Sequence, residues 1–459
     1  MKIRIFAFAV ATAAMIASTH AQQTTDDQLG TVHSPISCTA IQGKFDRAVA
    51  LLHNFFYPET AKAFQAIITE NPNCAMAYWG LAMSELPNPL VPPFPAANVK
   101  AGSEAIQQGK AAKTQTPREA EYLAAIEVFY KDYDKIDHNT RAGLYEQAMQ
   151  RLHEHYPDDS EAAIFYALAL NGAVDLKDKA FTKQLKAAVI LNEEAKKQPN
   201  HPGIAHYMIH SYDFAPLAAM CVSTAKLYDK IAPASPHALH MPSHIYSILG
   251  MWEDSVRSNL ATKAAADDYA VKNFPDRTYP IVPHLLDFLA YAYLQTARDR
   301  DAQQVIEAIP KLKPVLVAQL SIDTALAAIP ARYALERGRW DEAAQLPYAP
   351  ASFRRPSRSR TSPAPSALPV RAMRRQPAPR SSISTRSKQS LTRPRTITGQ
   401  DRPASRNRRS RHGSCSPVAS ATGPSQQCAK RPILTTPARR TWRWRTSWCR
   451  SGRCWANST

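Results

Sequence analysis

Apolar positions between residues 22 and 353 recur at helical spacing, and strand-type alternation is nearly absent. Tyr145, Met149, Leu152 and Tyr156 fall at i, i+4, i+7 and i+11, which places them on one face of a helix that Pro157 stops. Thr116-Pro117-Arg118-Glu119 reads as a capping box with proline at the first helical position. It predicts a helix that runs through about Tyr130. Five prolines between Leu86 and Pro95 break the pattern and predict an ordered surface loop. Glu253, Asp254, Asp341 and Glu342 fall where helices begin, where negative charge complements the helix dipole. Trp79, Trp252 and Trp340 are expected to pack between helices. The expected class is all-α.

The helical pattern also repeats. Three corners carry a small residue followed by another five places on: Gly250 and Ser255, Ala297 and Ala302, Gly338 and Ala343. Small residues there let paired helices approach at a tight turn. Phe64, followed eight residues later by Pro72 and then by Ala75-Met76-Ala77-Tyr78-Trp79-Gly80-Leu81-Ala82, supplies an earlier copy. The sharpest repeat aligns His201–Tyr212 with Ser235–Tyr246 at an offset of 34, matching Pro202 with Pro236, His206 with His240, His210 with His244 and Tyr212 with Tyr246.

With these corners and this period, residues from about 38 to 353 resemble the tetratricopeptide repeat (TPR) family. The blocks HPGIAHYMIHSYD, APASPHALHMPSHIYSILGMWEDSVRSN and NCAMAYWGLAMSE are similar to a group of exported bacterial TPR proteins of undefined activity. The resemblance implies a TPR-like solenoid of helical hairpins whose first helices line a concave groove for a peptide or protein partner. It also implies further repeats after Leu346-Pro347. A chain that ends its array there would leave an apolar face near Arg332–Leu346 exposed.

Composition divides the chain near Phe353. Residues 354–459 hold 25 of the 57 Lys and Arg, one acidic residue (Asp401), and no Phe or Tyr, so the formal net charge of +19 belongs to this tail. One reading is a disordered Arg/Ser/Pro-rich arm that neutralises phosphates. The preferred reading is out-of-frame translation of GC-rich DNA. With permitted codon choices, moving the frame of Trp442 to Thr459 back one base gives VAMENKLVPIREMLGELY, an amphipathic segment of balanced charge. On that reading no nucleic acid is a partner.

At the other end Lys2 and Arg4 precede an apolar run from Ile5 to about Ser18 and the small-residue pattern Thr19-His20-Ala21. This reads as a secretory signal peptide over 1–21, too short for a membrane span, and implies a periplasmic or secreted protein. In an oxidising compartment Cys38 and Cys74 could pair and leave Cys221 free; the alternative is three buried thiols.

Candidate chemistry is confined to histidines. His206 and His210 lie one turn apart, as do His240 and His244 in the next repeat, and two imidazoles at i, i+4 suit a transition metal such as Zn, Cu or Fe, or a haem. Asp213 or His237 could orient or complete such a site. Pro242 counts against it, because a helix start or kink there would take His240 and His244 off a common face. The competing reading is stacked structural histidines. A nucleotide-binding glycine loop, HExxH, nucleophile elbow and paired CxxC are all absent from the sequence. The expectation is therefore a non-catalytic exported scaffold without a cofactor, binding its partner around His206, His210, Tyr212, His240, His244 and Tyr246. The alternative is a metal- or haem-binding protein that uses the four histidines.

Overall fold

A computed structural model describes residues 27–346, except 87–88, 91–93, 114 and 318–319. The expected signal peptide, the basic tail and five residues of the proline-rich stretch lie outside the described residues.

The described chain is helical throughout, with no strand; a lone bridge joins Thr278 and Val315. The first helices are α1 (Gln42–His53), α2 (Tyr57–Glu70), α3 (Ala75–Ser84), α4 (Ala96–Ala111), α5 (Pro117–Tyr130), α6 (His138–His155), α7 (Ser160–Gly172) and α8 (Thr182–Lys197). The centre of the chain forms α9 (Pro202–Tyr212), α10 (Val222–Ile231), α11 (Pro236–His240) and α12 (Pro242–Leu249). The remainder is α13 (Trp252–Asn273), α14 (Ile281–Gln295), α15 (Asp299–Ala308), α16 (Leu320–Glu336) and α17 (Trp340–Gln345). Among the described residues no helix is long and apolar enough to cross a membrane.

Local chemistry explains where these helices start and stop. Thr116 Oγ1 accepts the Glu119 N–H at 3.2 Å and Glu119 Oε2 accepts the Thr116 N–H at 2.7 Å, closing the capping box read from the sequence. The three corners share one hydrogen-bond scheme. Gly250, Ala297 and Gly338 all adopt positive φ, and the next residue in each donates its N–H back five places: Met251 to Tyr246, Arg298 to Tyr293 and Arg339 to Ala334, each at 2.8 Å. This is a left-handed helix stop that satisfies otherwise orphaned carbonyls. Glycine adopts that backbone freely, whereas Ala297 holds it at a cost of about 1 kcal/mol.

Successive helices pack in chain order, α2 on α3, α6 on α7, α8 on α9, α13 on α14 and α14 on α15. Trp79 is buried edge-on to Tyr122 and Phe165, and Trp252 meets Tyr291 edge-on at 5.4 Å. Trp340 departs from the expected helix packing. It is 66% exposed, and nearby Leu335 is 43% exposed, because no later helix among the described residues covers α17.

One closure departs from chain order and matters for the site. The segment before α1 and the end of α1 pack against α9, α10 and α11. Thr31 N–H donates to Asn200 O at 3.0 Å, and Ala234 N–H to Gln28 O at 3.1 Å. Fully buried Asn54 donates to Leu29 O and Ala50 O and accepts from the Tyr228 hydroxyl at 2.9 Å. Every polar atom of that side chain is thus matched, as burial requires. Cys38 is bonded to Cys74 with a Cα separation of 5.7 Å, tying this leading segment to the start of α3, and Cys221 is a buried free thiol.

Candidate metal centre

The four histidines matched at the 34-residue offset do not meet at one point. They divide into two triads, and each recruits a third histidine from the helix two further along. His206 and His210 of α9 join His237 of α11, while His240 of α11 and His244 of α12 join His284 of α14. In each triad the three candidate ligand atoms lie within 4.8 Å of one another. His206 Nε2 is 3.1 Å from His210 Nε2 and 3.0 Å from His237 Nε2, and His240 Nε2 is 3.1 Å from His244 Nε2. A tetrahedral ion with metal–nitrogen bonds of about 2.0 Å holds its ligands about 3.3 Å apart.

Pro242 does not separate His240 from His244. It occupies the first position of α12, and Met241 before it keeps helical dihedrals, so α11 leads into α12 with the turn-to-turn spacing preserved. The lost proline N–H is an orphan at a helix start in any case.

The outer nitrogens of these rings are committed to partners that decide where the protons sit. His53 is the last residue of α1, so its carbonyl lacks a helical partner, and His206 Nδ1 meets that oxygen at 2.6 Å. A carbonyl only accepts, so His206 carries its proton on Nδ1 and turns a lone pair on Nε2 toward His210 and His237. That single lone pair can serve one N–H; the two close contacts cannot both be ordinary hydrogen bonds.

The second triad is more constrained. His240 Nδ1 lies 2.7 Å from Asn259 Oδ1, and the Asn259 amide is oriented by donation of its Nδ2 to Ser255 O at 2.8 Å. His244 Nδ1 lies 2.9 Å from Asp213 Oδ2. Both rings therefore donate from Nδ1, and their two Nε2 atoms face each other across 3.1 Å. Two lone pairs so placed repel unless a metal ion or a proton lies between them.

Burial disfavours the charged form of five of the six imidazoles. It pushes His206, His237 and His240 well below the ordinary histidine range, His210 down to about 4 and His284 down to about 3, and neighbouring imidazoles add to each shift. For His210 the strongest imidazole neighbour is His244 of the other triad, so the six rings form one cluster. Burial alone would raise Asp213, yet it stays below the usual carboxylate range because His244, His210 and His284 face it.

Each triad has one phenylalanine against all three of its rings. Phe55 lies with its centroid 4.4, 6.1 and 5.4 Å from His206, His210 and His237. Phe288 lies 5.0, 4.9 and 5.1 Å from His240, His244 and His284. Phe55 holds this position with φ of 50°, a left-handed conformation that costs a non-glycine residue about 1 to 3 kcal/mol.

A third group lies directly behind the first triad. Glu161 of α7 joins His53 Nε2 at 2.8 Å and His201 Nε2 at 2.9 Å, and all three side chains are buried. His53 Nδ1 accepts from the Tyr207 hydroxyl at 2.9 Å. Burial would raise Glu161, but the two imidazoles hold it well below the carboxylate range; burial likewise lowers His53 despite the adjacent anion. The group reads as a buried carboxylate satisfied by two N–H donors, and it aims the His53 carbonyl at His206. Gly203 makes this possible, because a Cβ there would sit 2.4 Å from His53 Nδ1.

Of the residues assigned to a partner groove, His206, His240, Tyr212 and Tyr246 are buried, and His210 and His244 are partly exposed. Asp213 orients His244 and His237 completes the first triad, the two supporting parts the sequence suggested for them. His284, Asn259, Phe55, Phe288 and the His53–Glu161–His201 group were not singled out beforehand. A signal for His284 is present in the chain: it follows Pro283 at the start of a helix, as His237 follows Pro236. The ladder changes character one step further on. Asp287 stands three residues after His284, as His240 stands three after His237, and pairs with Arg332 at 2.7 Å. Compared with known proteins, the chain matches no family model and no curated protein.

Proposed function

We propose that this protein binds transition-metal ions in two adjacent three-histidine sites, His206/His210/His237 and His240/His244/His284, and that its TPR-like helical array is their housing. The observation that carries this reading is the pair of Nε2 atoms of His240 and His244 facing each other at 3.1 Å, with the outer nitrogen of each ring committed to Asn259 or Asp213. Outer-nitrogen donation to a carbonyl, an amide oxygen and a carboxylate is what fixes the tautomer of metal-binding histidines. A stack of merely structural imidazoles would be expected to alternate donor and acceptor instead. Low proton affinity supports the same reading, since metal binding requires neutral imidazole.

The solenoid supplies the geometry. Each site takes an i, i+4 pair from one repeat and a single ring from the helix two further along, so stacking successive hairpins closes each triad. The shared corner scheme and the packing in chain order support a TPR-like array. The reading as an exported protein rests on the sequence of residues 1–21.

Elemental analysis of the purified protein, followed by melting with and without added zinc, copper or iron, tests the proposal. The expected result is retained metal or a stabilising shift that is lost in His206→Ala/His240→Ala. No metal and no shift with any of the three ions would overturn it.

A further inference from the structure

The two triads offer only imidazole nitrogens, with no carboxylate or thiolate among their ligand atoms, and this limits which ion they can take. Among the described residues, the one carboxylate hydrogen-bonded to either triad is Asp213, on the outer nitrogen of His244. The cost of removing an ion from water grows with the square of its charge, so each divalent ion costs about four times as much as a monovalent one. Two divalent ions would set four positive charges beside one compensating carboxylate. Two monovalent ions would set two.

Coordination number points the same way. Zinc held by three histidines takes a fourth ligand, usually water. Here a phenyl ring lies against all three imidazoles of each triad, Phe55 on the first and Phe288 on the second, and offers no donor atom. An ion content with three nitrogen donors and apolar surroundings suits that space better. Copper accepts imidazole, and its closed-shell monovalent ion, although drawn most strongly to thiolates, imposes no need for a fourth ligand.

We propose that each triad takes one monovalent copper ion, held by three imidazole nitrogens beneath a phenylalanine. This inference rests on the metal-binding reading above and narrows it to the ion.

The test uses the full chain with Cys221→Ala and with Cys415, Cys428, Cys449 and Cys454 changed to Ser, so that free thiols do not compete and the Cys38–Cys74 bond is kept. Copper is supplied anaerobically with ascorbate, and the titration is read against a chromophoric copper chelator and by X-ray absorption. The expected result is two copper ions per chain with nitrogen-only coordination, not displaced by about tenfold excess zinc. His237→Ala and His284→Ala should each reduce the stoichiometry from two to one. Should either variant fail to fold, His237→Gln or His284→Gln gives the same reading with the volume kept. Zinc filling both triads and displacing copper would overturn the copper assignment and leave the metal-binding reading intact. Retention of neither ion would overturn both.

Discussion

His244 stands between Asp213 and His240: its Nδ1 is 2.9 Å from the Asp213 carboxylate, and its Nε2 is 3.1 Å from that of His240. The carboxylate accepts a hydrogen bond from the Nδ1–H of His244, which turns Nε2 of the same ring toward His240 and a cation bound between them. This couples a residue at the C-terminal end of α9 to a site completed by α14.

Replacing Asp213 by Asn tests that coupling. The amide oxygen can still accept from His244, but the charge that stabilises a bound cation is lost. Affinity at the second triad should fall about 10- to 100-fold, with the first triad nearly unchanged. Site-resolved metal titration of the variant gives the answer; equal loss at both triads would argue that Asp213 acts on the fold.

The metal-free protein should lose stability on acidification. His206, His237 and His240 are lowered well below 6.5 by burial, His210 to about 4 and His284 to about 3. In the unfolded chain they take up protons near pH 6.5. Between the folded and unfolded values the unfolded state binds more protons, so stability is complete above about pH 6.5 and falls as the pH drops toward 4 and 3. Each excess proton contributes about 1.4 kcal/mol per pH unit. Urea midpoints should hold from pH 7.5 to about 6.5 and fall from there to about pH 5; a flat profile throughout would count against the buried neutral cluster.

Gly203→Ala should act on both stability and the first triad. The new Cβ would meet His53 Nδ1 at 2.4 Å and push the ring from Tyr207 and Glu161. Overpacking of this kind costs about 1 to 3 kcal/mol. Because the His53 carbonyl sets the His206 tautomer, metal should be lost from the first triad before the second, which titration of the variant would reveal.

Glu161→Gln should be more damaging. The neutral amide offers an N–H to one of two imidazoles that now donate to a carboxylate, leaving buried donors opposed. Breaking such a buried set costs about 3 to 5 kcal/mol. Denaturant unfolding of the variant against the parent measures this, and a change under about 1 kcal/mol would mean the group is not holding the fold.

Removing the disulfide with Cys38→Ser and Cys74→Ser frees a loop of 36 residues of sequence separation. The loss should be about 4 kcal/mol, since the cross-link restricts the unfolded chain. Comparison of unfolding curves for the parent and the double variant checks it.

Local signals were the legible part of this chain. The Thr116–Glu119 capping box and the corners at Gly250, Ala297 and Gly338 depend on residues within one turn of each other, and their hydrogen bonds follow the sequence. The offset of 34 singled out four of the six triad histidines because they recur at one period. It passed over His284, which stands 47 residues after His237 because α13 is a long helix of 22 residues. His53 and Glu161 were out of reach for another reason. They meet the site through the packing of α1 and α7 against α9, contacts separated by 153 and 40 residues that no local pattern encodes. Trp340 was misjudged because a tryptophan at a helix start packs only if a further helix covers it, and none among the described residues does.

The most direct test of the two-site claim is an anomalous-scattering map from crystals of the metal-loaded protein, collected at the absorption edge of the bound ion. The account predicts two peaks per chain, one about 2.0 Å from the Nε2 atoms of His206, His210 and His237, the other equally placed among His240, His244 and His284. Peaks only elsewhere, or no peak with the triads hydrogen-bonded as in the free protein, would contradict it.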